Sequence, residues 1–69
     1  MVNPAPEISV LMPAFNEGRH IFANIRETSL AVAKLSDNFE LVVVDDGSTD
    51  NTGEEIARAG REIPGVKTL

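Results

Sequence analysis

Apolar and polar residues along the chain form five blocks that predict short elements of regular structure. Two apolar runs rich in β-branched residues are too short for ordinary helices and predict strands. After each of them, apolar residues recur three and four positions apart, which predicts two amphipathic helices. A last apolar run follows Pro64-Gly65, where the second helix is expected to end. The predicted strands span residues 8–12, 39–44 and 66–69, and the predicted helices run from 17 or 18 to 35 and from a cap at 50 or 51 to 63.

Polar residues at the ends of these blocks predict where each element begins and stops. Pro13 is expected to stop the first strand. Asn16 is the predicted N-cap of the first helix, with Glu17 in its first turn. Asn51 and Glu54 have the spacing of a capping box at the second helix. The first helix is expected to pack on the sheet through an apolar stripe at Ile21, Ile25, Thr28 or Ser29, Val32 and Leu35.

The element order is β-α-β-α-β, which predicts the α/β class and an open parallel sheet. Strand-helix-strand connections of this length imply parallel strands joined by right-handed crossovers. The second strand shows no alternation of polar and apolar residues, so we expect it to be buried on both faces, as strands of parallel sheets are. Three strands and two helices make only half of such a sheet. A second copy of the chain is one expected cover for the exposed part.

The candidate site follows the second strand, where Asp45 and Asp46 open a turn of sequence Asp-Asp-Gly-Ser-Thr-Asp. In open α/β sheets, ligands bind outside the carboxyl ends of the strands. Adjacent strand residues point to opposite faces, so one carboxylate is expected to face the ligand and the other to bond the turn. Gly47 suits a main-chain position that needs a positive φ angle or a close approach. The alternative interpretation is an ordinary strand-to-helix turn whose polar side chains act as caps.

Composition narrows the range of partners. The chain has 69 residues and a net charge of −5, and its six basic residues are scattered, which argues against nucleic acid and against a polybasic membrane patch. Cysteine is absent, so neither a disulfide nor a cysteine-ligated metal can stabilise the fold. No apolar run approaches the roughly 20 residues that span a bilayer. Residues 1–7 predict an extended, poorly ordered lead-in and not a signal peptide, so a cytoplasmic location is expected.

Two motifs resemble those of inverting family 2 glycosyltransferases. Residues 8–17, Ile-Ser-Val-Leu-Met-Pro-Ala-Phe-Asn-Glu, look like the opening of that family. Residues 41–52, Leu-Val-Val-Val-Asp-Asp-Gly-Ser-Thr-Asp-Asn-Thr, are similar to its second motif, and the separation of the two motifs also fits. The resemblance covers residues 8–69. It implies the N-terminal portion of a GT-A fold, a Rossmann-like α/β sheet that binds a nucleotide-diphosphate sugar.

The resemblance implies roles for the first motif. Pro13, Ala14 and Phe15 would line the nucleobase and ribose pocket, and Glu17 would lie beside the nucleotide. Phe15 stands where the family commonly has Tyr, so the aromatic face is kept and the hydroxyl is lost. His20 is placed where it could approach a phosphate, although a solvated surface side chain is the simpler interpretation.

The resemblance also implies roles for the second motif. Asp46 would accept a hydrogen bond from a base N–H, for which a carboxylate is a strong acceptor. Asp45 would support the base or ribose region, and Gly47 and Ser48 would shape the turn. A carboxylate beside a diphosphate would be repelled unless a cation intervened, so both carboxylates are assigned to the base end.

The parts that would complete an enzyme of this family are not found in the chain. The family usually needs Mg²⁺ or Mn²⁺, bound by an Asp-x-Asp on a later strand, and no Asp-x-Asp occurs here. Its catalytic base and acceptor region also lie further on, so we assign no catalytic residue and no metal ligand. Inversion needs a positioned base and a cation for the leaving diphosphate, so the chain alone is expected to be inactive. Membrane association, at the inner face, would come only through residues not present here.

Other functional classes remain as alternatives. The main one is a non-catalytic nucleotide-binding or partner-binding α/β module. The sequence feature that separates it from a glycosyltransferase is whether an Asp-x-Asp strand follows Leu69. A phospho-acceptor regulatory domain would explain the acidic pair but leaves residues 13–17 unexplained. Neither Gly-x-x-x-x-Gly-Lys-Ser/Thr nor Gly-x-Gly-x-x-Gly follows either strand, which disfavours the corresponding phosphate-binding folds.

Overall fold

Two helices pack side by side on one face of a three-stranded sheet. The computed structural model describes residues 5–69. Its elements, in chain order, are β1 Ile8–Ala14, α1 Ile21–Ala33, β2 Phe39–Asp45, α2 Thr52–Glu62 and β3 Val66–Thr68. All strands are parallel, in the order β1-β2-β3. The predicted α/β class, element order and parallel open sheet are therefore confirmed.

The first strand continues through Pro13 to Ala14, so the prediction that Pro13 stops it is wrong. Pro13 pairs in register with Val44, and Ala14 pairs with Asp45. The carbonyl oxygen of Ala14 accepts the main-chain N–H of Asp46 at 2.8 Å. In a parallel ladder this turns the hydrogen-bonding groups of Ala14 towards β2 and those of Pro13 towards the free edge. Because β1 is an edge strand, the missing N–H of Pro13 interrupts no ladder.

The first helix begins at Ile21, later than predicted, and Asn16 is not its N-cap. Asn16 has a φ angle of 50°, which lies outside the conformation of an N-cap residue. The main-chain N–H groups of Glu17 and Gly18 donate instead to side chains at the start of α2, at 2.8 and 3.1 Å. Residues 17 and 18, which were predicted to open the helix, are therefore held against the start of α2. At its other end the helix stops at Ala33, before the predicted position.

The second helix begins at Thr52 with Asn51 in the N-cap position, which is one of the two predicted caps. Asn51 makes no side-chain cap hydrogen bond, so the predicted capping box with Glu54 does not form. Asp50 caps the helix instead, because its Oδ1 accepts the main-chain N–H of Thr52 at 3.0 Å and also the Thr52 hydroxyl. The helix ends at Glu62, close to the predicted stop.

The second strand is buried on one face only, so the prediction of burial on both faces is wrong for the described residues. Leu41 and Val43 face the helices and are fully buried, whereas Val42 and Val44 are half-buried on the other face. Right-handed crossovers that advance in one direction place both helices on the same side of the sheet. The opposite side is left open, and Leu11, which pairs with Val42, is 69% exposed there.

A single hydrophobic core lies between this face and the helices. The predicted stripe of α1 is confirmed, except that Leu35 falls outside the helix and is 77% exposed. The buried members of the stripe are Ile21, Ile25, Ser29 and Val32. The core cluster as a whole comprises Ala14, Ile21, Ile25, Leu41, Val43, Ile56, Ala59 and Val66.

The described part of the predicted lead-in, residues 5–7, has no regular secondary structure and is held against the loop before β2. Glu7 donates its main-chain N–H to the Asn38 carbonyl at 2.8 Å, and the Asn38 side-chain amide donates to the Ala5 carbonyl at 2.9 Å. The rest of the predicted lead-in, residues 1–4, lies outside the described residues.

Candidate functional site

The candidate site lies where β1 and β2 end side by side. We call residues 15–20 the first loop and residues 46–51 the second loop. Because the two strands are parallel and paired, both loops leave the sheet directly after the partners Ala14 and Asp45. We call this end of the sheet, where the strands terminate, its carboxyl edge. This is the edge at which open α/β sheets bind ligands.

Most of the predicted site residues reach the surface at this edge. Ala14 is the exception, because its side chain is 2% exposed and packs in the core. Phe15, the next residue, is 55% exposed and presents an aromatic ring to solvent. The predicted residues that are exposed or half-buried are Pro13, Phe15, Glu17, Asp45, Asp46, Gly47 and Ser48.

The two adjacent carboxylates have different surroundings. Asp45 Oδ1 accepts the main-chain N–H of Ser48 at 3.0 Å, so the prediction that one carboxylate bonds the turn is confirmed. A Cβ on Gly53 would lie 3.1 Å from Asp45 Oδ2, so the Asp45 carboxylate lies against the start of α2. Asp46 bonds the end of β1 through its main chain and has an exposed side chain. Both side chains are exposed, but that of Asp45 bonds the turn, whereas Asp46 is bonded to β1 through its main chain.

Gly47 has the predicted positive φ angle, at 80°. A Cβ at this position would meet no heavy atom within 4 Å, so the requirement for glycine is conformational and not steric.

A cavity of about 210 Å³ opens beside Asp45, on the helix side of the sheet. Its volume is below the range of roughly 300–1,000 Å³ that is usual for small-molecule sites. Asp45 is among the residues that line it, whereas the exposed Phe15 and Asp46 are not. The lining residues are Val43, Asp45, Gly53, Ile56, Ala57, Thr68 and Leu69.

A larger cavity, of about 350 Å³, lies at the opposite edge of the sheet. It is an open, mainly apolar depression between the C-terminal half of α1, the end of α2 and the start of β2. Ligands of open α/β sheets bind at the other edge, so this cavity is not the candidate site. Its lining residues are Arg26, Ser29, Leu30, Ala33, Phe39, Glu62, Ile63 and Pro64.

Hydrogen bonds join the two loops directly. The main-chain N–H of Asn16 donates to Ser48 Oγ at 2.8 Å, and Asn16 Oδ1 accepts the main-chain N–H of Thr49 at 2.8 Å. The N–H of Glu17 donates to Thr52 Oγ1, also at 2.8 Å. Asn16, Thr49 and Thr52 were not predicted to make these contacts. Their sequence signal is only the presence of Asn, Thr and Asp in loops, which local turns and caps explain equally well.

Gly18 is buried between the loops, and a side chain there would collide with neighbouring atoms. A Cβ at this position would overlap Asn51 Oδ1 and would lie 3.1 Å from Asp50 Oδ2. The main-chain N–H of Gly18 donates to that same Asp50 oxygen at 3.1 Å. Any larger residue here would therefore displace the Asn51 side chain and press on the Asp50 carboxylate.

Hydrogen bonds within the site lower the pKa of Asp50. The hydrogen bond from the Thr52 hydroxyl is the largest influence that holds the pKa of Asp50 below its ordinary value, although partial burial acts in the opposite direction. Main-chain N–H groups of Thr52 and Gly18 act in the same direction as the hydroxyl. Asp50 is therefore a charged structural acceptor at neutral pH, with both carboxylate oxygens in use.

Residues 9–69 match the family described as Glycosyl transferase family 2. The chain belongs to glycosyl transferase family 2. A curated relative, the undecaprenyl-phosphate 4-deoxy-4-formamido-L-arabinose transferase of Serratia proteamaculans (strain 568), is 36% identical over 64 residues. The match covers 93% of this chain and 19% of the relative, so the chain spans about a fifth of that protein's length.

Family membership agrees with the fold. The three parallel strands of this family 2 glycosyltransferase chain, with the order β-α-β-α-β, correspond to the N-terminal part of a Rossmann-like GT-A fold. Both motifs that carried the resemblance lie within the matched residues, and the structure brings them together at the carboxyl edge.

The described residues do not fit the Mg²⁺ or Mn²⁺ ion that the resemblance implies. Within residues 5–69, no three His, Asp or Glu side chains lie close enough together to bind a metal ion. Both oxygens of Asp50 accept protein hydrogen bonds, and one oxygen of Asp45 does too. Asp45 and Asp50 thus support the loops and are not part of a metal cage within residues 5–69.

Between Ala5 and Leu69, neither helix combines the length and the apolar character needed to cross a membrane.

Proposed function

We propose that this chain supplies the nucleotide-recognition part of an inverting glycosyltransferase, which transfers a sugar from a nucleotide-diphosphate sugar to an acceptor hydroxyl or phosphate. The observation that supports it most is the convergence of the two family motifs at one sheet edge. Phe15 and Asp46 are the first residues beyond adjacent strand ends, and both of their side chains are exposed.

The proposed contacts use the chemistry of these two side chains. Phe15 offers a flat face on which a nucleobase can stack, and base–aromatic stacking stabilises complexes by about 1–3 kcal/mol. Asp46 accepts a base N–H in a charge-assisted hydrogen bond, which is stronger than one between neutral groups. Pro13, which is exposed two residues before Phe15, extends the apolar wall towards the ribose.

The other proposed site residues shape this pocket. Asp45 holds the turn through the Ser48 N–H, and the positive φ angle of Gly47 lets the chain reverse directly after Asp46. Glu17 lies beside the nucleotide, with its Oε1 at 3.4 Å from the main-chain nitrogen of Phe15. The side chain of Ala14 is in the core, so Ala14 would line the pocket only with its main chain.

The remaining chemistry is assigned to further parts of a complete enzyme. We propose that the base that would deprotonate an acceptor hydroxyl, and the ligands of a Mg²⁺ or Mn²⁺ ion, lie outside this chain. The name of the Serratia proteamaculans relative makes a polyprenyl phosphate the first acceptor to test. A complete enzyme with such an acceptor would work in the cytoplasm at the inner face of a membrane.

A titration of the ¹⁵N-labelled chain with UDP, GDP, CDP, ADP and dTDP tests nucleotide recognition. One of the five is expected to shift the amide resonances of residues 14–17 and 45–48 in a saturable way. Resonances of residues at the opposite edge of the sheet, such as Ser36 and Asn38, should stay in place. If none of the five nucleotides shifts the loop resonances, or if the shifts centre on another region, the proposal is wrong.

The open sheet face favours a second candidate, a partner-binding module without catalysis. Leu11 is 69% exposed on that face, beside the half-buried Val42 and Val44. Sugar transfer by a complete protein that carries this chain would exclude this candidate. Nucleotide binding without any transfer, in the presence of Mg²⁺ or Mn²⁺ and acceptor, would favour it.

A further inference from the structure

Asn16 has an unusual main-chain conformation at the centre of the candidate site. Its φ angle is 50°, and within residues 5–69 it is the only residue other than glycine with a positive value. Asparagine tolerates this region better than most residues, but glycine adopts it at lower cost. The presence of Asn and not Gly therefore indicates that the side chain has a task.

The side chain of Asn16 bonds the second loop. Its Oδ1 accepts the main-chain N–H of Thr49 at 2.8 Å and lies 3.4 Å from the Thr49 hydroxyl. Its own main-chain N–H donates to Ser48 Oγ at 2.8 Å. The main-chain N–H of Ser48 in turn donates to Asp45 Oδ1 at 3.0 Å. Asn16 thus belongs to a continuous hydrogen-bonded path from the end of β2 through the second loop to the first.

This path runs next to the two side chains to which we assign the nucleobase. Asn16 follows Phe15 directly, and Ser48 lies two residues after Asp46. The strand ladder fixes the main chain only as far as the bond between Asp46 and Ala14. Beyond that bond, the separation of the two loops is set by the contacts between them, of which Asn16 makes those nearest to Phe15.

We propose that Asn16 is a positioning residue, which holds Phe15 and Asp46 at the separation that admits a nucleobase. The inference rests on the proposed function. It requires both properties of Asn16, a positive φ angle and a side-chain acceptor. Removing the acceptor while keeping the φ angle should let the loops separate, so that the ring and the carboxylate no longer engage one base together.

The experiment compares Asn16→Gly with Asn16→Asp in the complete enzyme, with the nucleotide that binds most tightly in the titration. Asn16→Gly keeps the φ angle and loses the acceptor, and it should raise the Kd of that nucleotide and the KM of the sugar donor by about tenfold to a hundredfold. The KM of the acceptor should not change. Asn16→Asp keeps the acceptor and should restore the donor KM to within about threefold of wild type when measured at about 1 M salt, where its added charge is screened over about 3 Å.

A control separates positioning from general loss of stability. Val66 is buried in β3 away from both loops, so Val66→Ala should lower the thermal unfolding temperature and leave the donor KM unchanged. If Asn16→Gly leaves the nucleotide Kd unchanged while Asp46→Ala raises it, the role of Asn16 is wrong and the proposed function stands. If Val66→Ala raises the donor KM as much as Asn16→Gly at a matched loss of stability, the role of Asn16 is also wrong. If neither Asp46→Ala nor Asn16→Gly changes the Kd, the proposed function itself fails.

Discussion

The main-chain N–H of Asp46 lies 2.8 Å from the carbonyl oxygen of Ala14 and extends the β1–β2 ladder beyond the last residue of β2. The main chain of Asp46 is thereby held by the sheet, while its side chain remains exposed. Changes to this carboxylate should therefore affect a ligand far more than they affect the fold.

Replacement of Asp46 by Ala should weaken nucleotide binding. Loss of a hydrogen bond to a charged group costs about 1.5–3 kcal/mol, which corresponds to roughly a tenfold to 150-fold rise in Kd. Calorimetric titration of the complete enzyme measures this, together with its unfolding temperature, which should change little. Asp37→Ala is the matched control, since it removes the same charge from an exposed position at the opposite edge of the sheet. Equal affinities for the two variants would remove Asp46 from the nucleobase site.

Replacement of Gly18 by Ala should destabilise the chain. The added methyl group would overlap Asn51 Oδ1 and press on Asp50 Oδ2, so the Asn51 side chain must turn away or the loops must separate, and overpacking of this kind costs about 1–3 kcal/mol. Urea denaturation measures the change in the free energy of unfolding. In the double variant Gly18→Ala/Asn51→Ala the clashing atom is gone, so part of the loss should be recovered. Strict additivity of the two single changes would argue against close packing at this point.

Acid should weaken the contact between the loops through Asp50. The pKa of Asp50 is lowered in the folded chain, chiefly by the Thr52 hydroxyl. A carboxyl group with a lower pKa in the folded than in the unfolded state stabilises the fold above its unfolded pKa of about 4, and this contribution is lost as the pH falls through the folded pKa. The difference in urea midpoint between wild type and Asp50→Asn should thus be constant from pH 7 to about pH 5 and shrink at lower pH. Parallel midpoint curves down to pH 2 would contradict this role.

The one-sided burial of the sheet can be tested with two identical truncations. Leu41 is fully buried on the helix side, so Leu41→Ala should cost about 2–5 kcal/mol and lower the unfolding temperature strongly or abolish the cooperative transition. Leu11 is mainly exposed on the open side, so Leu11→Ala should cost no more than about 0.5 kcal/mol. A large loss at Leu11 would show that this face is covered in solution. If a second copy covers it, the unfolding temperature will rise with protein concentration.

The 69-residue chain alone should not transfer sugar. Within residues 5–69 no cluster of metal ligands is present, and we assign the base that activates the acceptor to residues outside the chain. Incubation with labelled nucleotide sugars, Mg²⁺ or Mn²⁺ and a polyprenyl phosphate should yield no glycosylated product. Product formation by the isolated chain would mean that these groups lie within it.

Local patterns in the sequence were sufficient for the element order, the parallel topology, the stripe of α1 and the turn at Gly47. A stripe with helical spacing and a short β-branched run each depend on residues close in sequence, and connection length determines strand direction. The two motifs were also located correctly, because the carboxyl ends of paired parallel strands must meet at one edge.

Tertiary structure alone decided how those pieces fit together. Residues 17 and 18, where the pattern placed the start of α1, lie in a loop whose N–H groups bond side chains more than 30 residues away. Pro13 remains in β1 because that strand lies at the edge, and β2 has one open face because both helices pack on the same side. The task of Asn16 depends on Ser48 and Thr49 in another loop. Each of these outcomes is set by contacts between residues far apart in the chain, which a pattern of neighbouring residues does not encode.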